Sequence, residues 1–419
     1  MSYQRTDLDN GIRVVTEDQP SSRAVACGIW IDSGARDEKR SEQGISHFLE
    51  HMVFKGTRNR SAYDIVKDLE MVGAEVNAFT TKENTCFHTL SLYENLDLSV
   101  EVLADLVCHA TFPKDDLEVE RGVILQELYS AEDSPEEYIF DLFLEEFYKK
   151  SPLGWQILGS EDSVKSLKRS HLLNYYKNRY VGANIVVSAA GRLNHEELVR
   201  KLKKHLKRIP RGKPIAKRTR AKAKVFRQTL NRDSDQAHIL LGLPATSFRD
   251  RFRFEAFILN ALLGGGMTSS LYQRVREEEG LVYSIYSSLS TFTDTGVINI
   301  YANSTSENAR RVMELIFKEM RRLKKAGLTQ VDLDLFRNQV RAGILLGADD
   351  VENRMNSLGV NEMVFGKYRS ADEIIEELEA VTLSTMREYM RNYLKFDKMS
   401  ILVLGPKGRD SQWNWMNDL

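Results

Sequence analysis

Both halves of the chain close on the same passage, and that repetition constrains its architecture more than any other feature. Residues 172–180 read as a helix feeding a buried strand at residues 184–191, and residues 386–393 lead in the same way into residues 399–405. A single shift brings Tyr175 onto Tyr389 and Gly191 onto Gly405. Earlier, Ala131-Glu132-Asp133 is echoed by Ala348-Asp349-Asp350. With 419 residues, 42% of them hydrophobic, the chain can supply two ordinary domains with substantial cores. Weak internal symmetry of this kind implies a duplicated unit.

The joint between the copies is marked by composition. Residues 210–224 contain prolines and a run of Lys and Arg without an acid. Such a run can contact nucleic acid or an acidic peptide, but it lacks interleaved aromatics, and a solvated connector is the simpler reading. The expected division is an N-terminal domain at residues 1–209, a basic linker at 210–227 and a C-terminal repeat domain at 228–419. In the first copy, residues 24–31 read as a strand and residues 63–72 and 95–108 as amphipathic helices. Two further strands, 74–80 and 86–92, flank Thr81-Lys82-Glu83-Asn84 as a hairpin. A hairpin implies antiparallel pairing, so the expected class is α+β: two similar domains, each a largely antiparallel sheet with helices packed on one face.

One helical turn carries the chemistry. In the segment from Gly44 to Phe54, His47, Glu50 and His51 are spaced i, i+3 and i+4, and at about 100° per residue all three project from one face. Two imidazoles so placed can share a metal, and Glu50 is left free to accept a proton from an activated water. The order His-x-x-Glu-His is the inverzincin spacing of zinc hydrolases, although histidine pairs four apart also occur as packed or solvent-bridging residues. A hydrolytic zinc usually takes a third protein ligand. Glu120 and Glu127 lie on a helix expected at residues 115–130, about 20° from alignment, with Val123 and Ile124 marking its buried side. Both carboxylates then point toward the core, which is costly unless a cation accompanies them. The alternative is an exposed acidic face that also includes Glu118.

The motif, followed after 75 residues by Glu127 with Glu120 seven positions before it, resembles the insulinase and pitrilysin family of zinc peptidases. The likeness spans essentially the whole chain and is nearest in length to the two-domain branch, similar to the catalytic subunit of mitochondrial processing peptidase and its bacterial relatives. It implies one Zn2+ per chain held by His47, His51 and Glu127, with Glu50 as general base and Glu120 as a supporting carboxylate. It implies that a peptide substrate adds as an extra strand along residues 73–80, its backbone held by Asn77, Ala78 and Phe79. Without the resemblance, that segment serves equally well as an internal strand. It implies further that Arg276 and Tyr283 reach substrate from the second copy, Arg276 holding a substrate carbonyl and Tyr283 donating to the oxyanion. On residue type alone, Arg276 is a helix-face charge and Tyr283 a strand residue packing the sheet. Because this pair comes from the half without the metal, the resemblance implies a partner subunit and a homodimer enclosing a chamber. Gly264, Gly265 and Gly266 resemble the family's glycine-rich stretch; no phosphate-binding pattern surrounds them, and they read as a hinge or substrate-guiding loop.

The remaining features narrow the field by exclusion. The second copy places Ile344 opposite Glu127, and no histidine follows His238. A net charge of −1 gives no global attraction to nucleic acid or an anionic membrane. The first ten residues have no apolar signal core, and no stretch approaches the roughly 18 apolar residues of a membrane span. The expected location is therefore the cytoplasm. Cys27, Cys86 and Cys108 are odd in number and lack Cys-x-x-Cys spacing, as reduced packing residues would be. The expected function is a zinc-dependent endopeptidase acting on oligopeptides or extended unfolded segments. The alternatives are a non-catalytic peptide-binding or structural subunit of a processing-peptidase-like complex and a zinc hydrolase of a non-peptide, which needs the same water activation.

Overall fold

Two sheets share one strand order, which is the physical form of the sequence repeat. The computed structural model describes residues 2–232 and 234–406, so residues 407–419 of the expected second domain lie outside the described residues. The first sheet contains β1 (Ser2–Asp7), β2 (Arg13–Asp18), β3 (Ala24–Ile31), β4 (Glu75–Thr80), β5 (Thr85–Leu92) and β6 (Ile185–Gly191), in the order β1-β2-β6-β3-β5-β4. The second contains β7 (Arg227–Arg232), β8 (Ala237–Ala245), β9 (Ser284–Thr291), β10 (Gly296–Ser304) and β11 (Ser400–Pro406), in the order β7-β11-β8-β10-β9. Laying β7 on β2 carries β11 onto β6, β8 onto β3, β10 onto β5 and β9 onto β4. Each sheet has one parallel pair, β2 with β6 and β7 with β11, and is otherwise antiparallel. The class is α+β, as the hairpin implied.

The chain packs as two units that exchange a helix. The first comprises Met1–Ser130, Trp155–Thr219 and Leu346–Arg369, and the second comprises Ala131–Gly154, Arg220–Leu345 and the chain from Ser370 onward. In the first unit, most helices gather on one face of the sheet, with Phe48, Leu49, Met52, Leu103, Ile124, Leu172 and Leu202 in one core. The other face is covered by the helix Val351–Phe365, whose Met355 and Leu358 pack against Val15, Ala26, Trp30, Val186 and Ala190. Gly359 permits this approach, since a Cβ there would stand 2.5 Å from the Trp30 ring. A buried ion pair fixes the same helix: Arg354 Nε donates to Glu17 Oε1 at 2.7 Å, and Tyr368 donates to Glu17 Oε2 at 2.7 Å.

The second unit repeats the device. Its many-helix face buries Val312, Met313, Ile316, Met320, Met386 and Tyr389. The helix Pro135–Phe147 covers the opposite face, with Ile139, Phe143 and Phe147 against Leu240, Val297, Leu402 and Leu404. The expectation of helices on one face is thus met by the larger layer and supplemented by one helix on the other. Double coverage explains why β3, β6 and β8 are buried almost throughout.

Two details depart from the sequence reading. The basic segment is not a solvated connector along its length: Arg218 packs into the first unit, donating to Asp32 at 2.9 Å, to Asp37 at 2.7 Å and to the Glu83 carbonyl at 2.6 Å. A charge run without aromatics reads as solvated only if its acids are sought nearby in sequence, and these acids are far away. Gly264 is a packing glycine, because a Cβ there would stand 2.2 Å from the Ser287 backbone nitrogen. Among the described residues no helix is long and apolar enough to cross a membrane. Cys27, Cys86 and Cys108 are free, and burial pushes the Cys27 thiol up to about 12.

Candidate metal centre

The ligand helix, Ile45–Val53, buries Ile45, Phe48, Leu49, Met52 and Val53 and leaves His47, Glu50 and His51 on its less covered side. Its start is fixed from outside. Gly44 holds a left-handed conformation at φ 85°, which a residue without Cβ adopts at little cost. The carboxyl oxygens of the buried Glu38 accept from Gly44 N at 2.8 Å and Ser46 N at 2.9 Å, satisfying two backbone donors at the helix start. Tyr175 OH bridges Ser46 Oγ at 2.8 Å and Ser33 Oγ at 2.9 Å.

The second element is the helix Lys114–Asp133, which buries Leu117, Glu120, Ile124 and Leu128. Val123 does not mark the buried side as expected; it is 40% exposed. The buried stripe follows the spacing i, i+3, i+7 and i+11, which passes one position beyond Val123. The two carboxylates also differ in depth, with side-chain exposures of 5% for Glu120 and 42% for Glu127.

These helices bring the motif and both acids together. One ligating atom from each of His47, His51 and Glu127 lies within 4.8 Å of the other two. Glu127 Oε2 stands 3.7 Å from His47 Nε2 and 3.5 Å from His51 Nε2. Those separations exceed hydrogen-bond length, so the three groups converge without bonding one another. His51 Nδ1 lies 3.0 Å from Glu120 Oε2, and Lys55 Nζ lies 2.5 Å from Glu120 Oε1. Glu120, paired with Lys55, is the acceptor, so the His51 proton sits on Nδ1 and the Nε2 lone pair faces Glu127. Burial, reinforced by His51, pulls His47 down to about 3, which leaves it a neutral imidazole. Two imidazoles and a carboxylate converging in this way form a donor set that fits zinc.

Glu50 sits beside this set in a different setting. Burial raises its carboxyl pKa above the usual range, against the lowering effects of a Thr80 hydrogen bond and of His51. Thr80 Oγ1 donates to Glu50 Oε2. Thr80 ends β4, and β4 is an edge strand: only β5 pairs with it among the described residues. The alternative of an internal strand is therefore excluded. Asn77 is exposed and Ala78 and Phe79 are half-buried, with the Phe79 ring edge-on to Trp30 at 5.6 Å.

Arg276 and Tyr283 come together in the second unit. Arg276 lies in a π-helical turn, Tyr272–Glu277, and its guanidinium stands 5.0 Å from the Tyr272 ring centroid and 5.5 Å from that of Tyr283. Tyr283 precedes β9 and is 74% exposed, so it does not pack the sheet. Sequence reasoning passed over Glu38, Lys55 and Thr80. Lys55, four residues past His51, carries a weak helical-spacing signal; Glu38 and Thr80 act from outside the helix and carry none.

An α+β chain with this duplicated five-strand topology has many solved counterparts of the same fold. Solved structures of the same fold include a protease from Helicobacter pylori, at a TM-score of 0.91 and 21% identity over 97% of this chain and 99% of that one. Another is a peptidase M16 inactive domain from Pseudomonas fluorescens, at a TM-score of 0.91 and 19% identity over 97% and 98%. Residues 13–161 match the family model described as Insulinase (Peptidase family M16), and residues 166–340 the model described as Peptidase M16 inactive domain. Among sequence relatives, an uncharacterized zinc protease of Mycobacterium bovis is 36% identical over 97% of this chain and 94% of its own. One of Bacillus subtilis is 33% identical over 97% and 98%. The chain belongs to the insulinase family, peptidase family M16.

Proposed function

We propose that the protein is a zinc-dependent endopeptidase that cleaves oligopeptides or extended unfolded segments. The observation that carries this reading is the convergence of His47, His51 and Glu127 within 4.8 Å beside a half-buried Glu50. Relatives named as zinc proteases support it. One Zn2+ per chain would be held by His47, His51 and Glu127 and would supply Lewis acidity to a water and to the scissile carbonyl. Glu50 takes the proton of the attacking water and returns it to the leaving amine. Glu120 holds His51 in the tautomer that offers Nε2. The free edge of β4 takes the peptide as an added strand, with Asn77, Ala78 and Phe79 alongside it, a mode that binds backbone and tolerates many sequences. Arg276 and Tyr283 act from the partner subunit of a homodimer, Arg276 on a substrate carbonyl and Tyr283 on the oxyanion.

A second reading is a peptide-binding subunit without turnover, favoured by the description of one similar structure as an inactive domain. Zinc content measured together with cleavage of a mixed peptide library, for wild type and Glu50→Gln, separates the two. Zinc in both proteins with cleavage by wild type alone supports the peptidase. Zinc in both with cleavage by neither supports the binding subunit, and a protein that takes up no zinc sinks both the metal assignment and the mechanism.

A further inference from the structure

Glu50 has two carboxylate oxygens, and the fold treats them differently. Thr80 Oγ1 donates to Oε2, whereas Oε1 takes no hydrogen bond among the described residues. Thr80 is half-buried at the end of β4, directly across from Thr85 in the hairpin. The two hydroxyl oxygens are 3.4 Å apart, and Thr85 donates to the Ser33 carbonyl at 3.2 Å. With the Thr85 proton directed there, the Thr80 proton goes to the carboxylate, the stronger acceptor.

We propose that Thr80 is a positioning residue, which holds Oε2 of Glu50 and thereby reserves Oε1 for the proton of the attacking water. The proposal rests on the reading of Glu50 as general base. A carboxylate turns about a broad, roughly two-fold terminal torsion, whereas proton abstraction needs an approach of about 2.6–3.2 Å between heavy atoms. The threonine hydroxyl fixes that torsion. It continues to do so after Oε1 is protonated, because Oε2 of the acid still accepts. The same contact therefore serves the return step, in which the Oε1 proton passes to the amine nitrogen as the C–N bond breaks. It also ties the base to the strand along which the peptide lies: seating a substrate on β4 seats it on the strand whose last residue grips Glu50.

The test compares Thr80→Val, which is isosteric without the hydroxyl, with Thr80→Ser, which keeps it, and Thr80→Ala as a second hydroxyl-free variant should the valine protein fold poorly. With zinc and a cleavable peptide, Val and Ala should lower kcat about 10- to 100-fold, the range for a lost hydrogen bond to a charged group, with KM and zinc content unchanged. Ser should restore most of the rate. Wild-type kcat in the hydroxyl-free variants alongside an inactive Glu50→Gln would overturn the proposal and leave the peptidase reading intact. So would a rise in KM alone, or failure of Ser to rescue. A readout independent of turnover is the 13C carboxyl resonance of Glu50 in zinc-free protein, assigned by its loss in Glu50→Gln. It should shift in Thr80→Val and return in Thr80→Ser. If wild type binds zinc but cleaves nothing, the peptidase reading fails and the resonance alone decides whether Thr80 holds Glu50.

Discussion

His51 meets a carboxylate on each side of its ring: Nδ1 lies 3.0 Å from Glu120 Oε2 and Nε2 lies 3.5 Å from Glu127 Oε2. Only the first is a hydrogen bond, so Glu120 sets the tautomer and Glu127 shares the space into which the Nε2 lone pair points. Glu120→Gln replaces a pure acceptor, paired with Lys55, by an amide that also donates. Zinc affinity measured by chelator competition should fall about 10- to 100-fold, as for other groups that orient a metal-binding histidine. An unchanged affinity would assign Glu120 to packing alone.

His47 makes the stability of the zinc-free protein depend on pH. Its folded pKa is held at about 3 by burial, while an unfolded histidine protonates near 6.5. Between those values the unfolded state binds more protons. The contribution is therefore complete above about pH 6.5 and declines as pH falls toward 3. His47→Asn lacks it, so the stability advantage of wild type over the variant should shrink between pH 7 and pH 4 in denaturant titrations. Parallel pH profiles for the two proteins would contradict this.

Glu38 has the opposite sign. Burial raises its carboxyl to about 8 despite the Ser46 and Gly44 bonds, against 4.5 for the free group. The folded state then binds more protons between these values, so the contribution is present below about pH 4.5 and lost as pH rises through 8. Glu38→Gln keeps an acceptor for the first turn of the ligand helix and removes the titration. Its melting temperature should gain on wild type as pH rises from 5 to 8, while Glu38→Ala should lose about 1 kcal/mol or more from the missing cap.

Arg354 and Glu17 form an ion pair with side-chain exposures of 5% and 1%. Arg354→Met leaves Glu17 buried without its cation and should cost about 3–5 kcal/mol in a denaturant titration. Glu17→Gln combined with Arg354→Met should recover much of that loss. Additive losses in the double variant would place the effect in packing around Trp30 instead.

In the proposed homodimer, Glu50→Gln and Tyr283→Phe damage different halves of each composite site. Either variant alone should cleave peptide poorly. Equal mixing with exchange of subunits should restore about a quarter of wild-type activity, since half of the dimers are mixed and each carries one intact site. Activity that never rises above the separate variants would argue that Tyr283 serves its own chain or none.

Several of these features are legible in the sequence. The spacing of His47, Glu50 and His51 fixed their common face because a regular helix leaves no alternative, and the seven-residue step from Glu120 to Glu127 put both acids near one line along their helix, about two turns apart. Periodicity was less exact at Val123, where one residue of phase separates buried from exposed. Thr80 escaped notice because its contact with Glu50 depends on how a strand docks against a helix, which local pattern does not encode. The exchanged helices escaped for the same reason. An apolar stripe on Pro135–Phe147 or Val351–Phe365 says that the helix is covered, and nothing about which sheet does the covering.

That exchange sets a timetable for synthesis. A ribosome completes the strands of the first sheet at Gly191 but the helix that shields its outer face only at Phe365. At about 5–20 residues per second, the interval is roughly 10 to 35 s. Throughout it the nascent chain presents Val15, Ala26, Trp30 and Val186 to whatever surrounds the exit tunnel. Burial of that face therefore waits on the second half of the chain, and a message truncated within that window yields a fragment whose outer face stays uncovered.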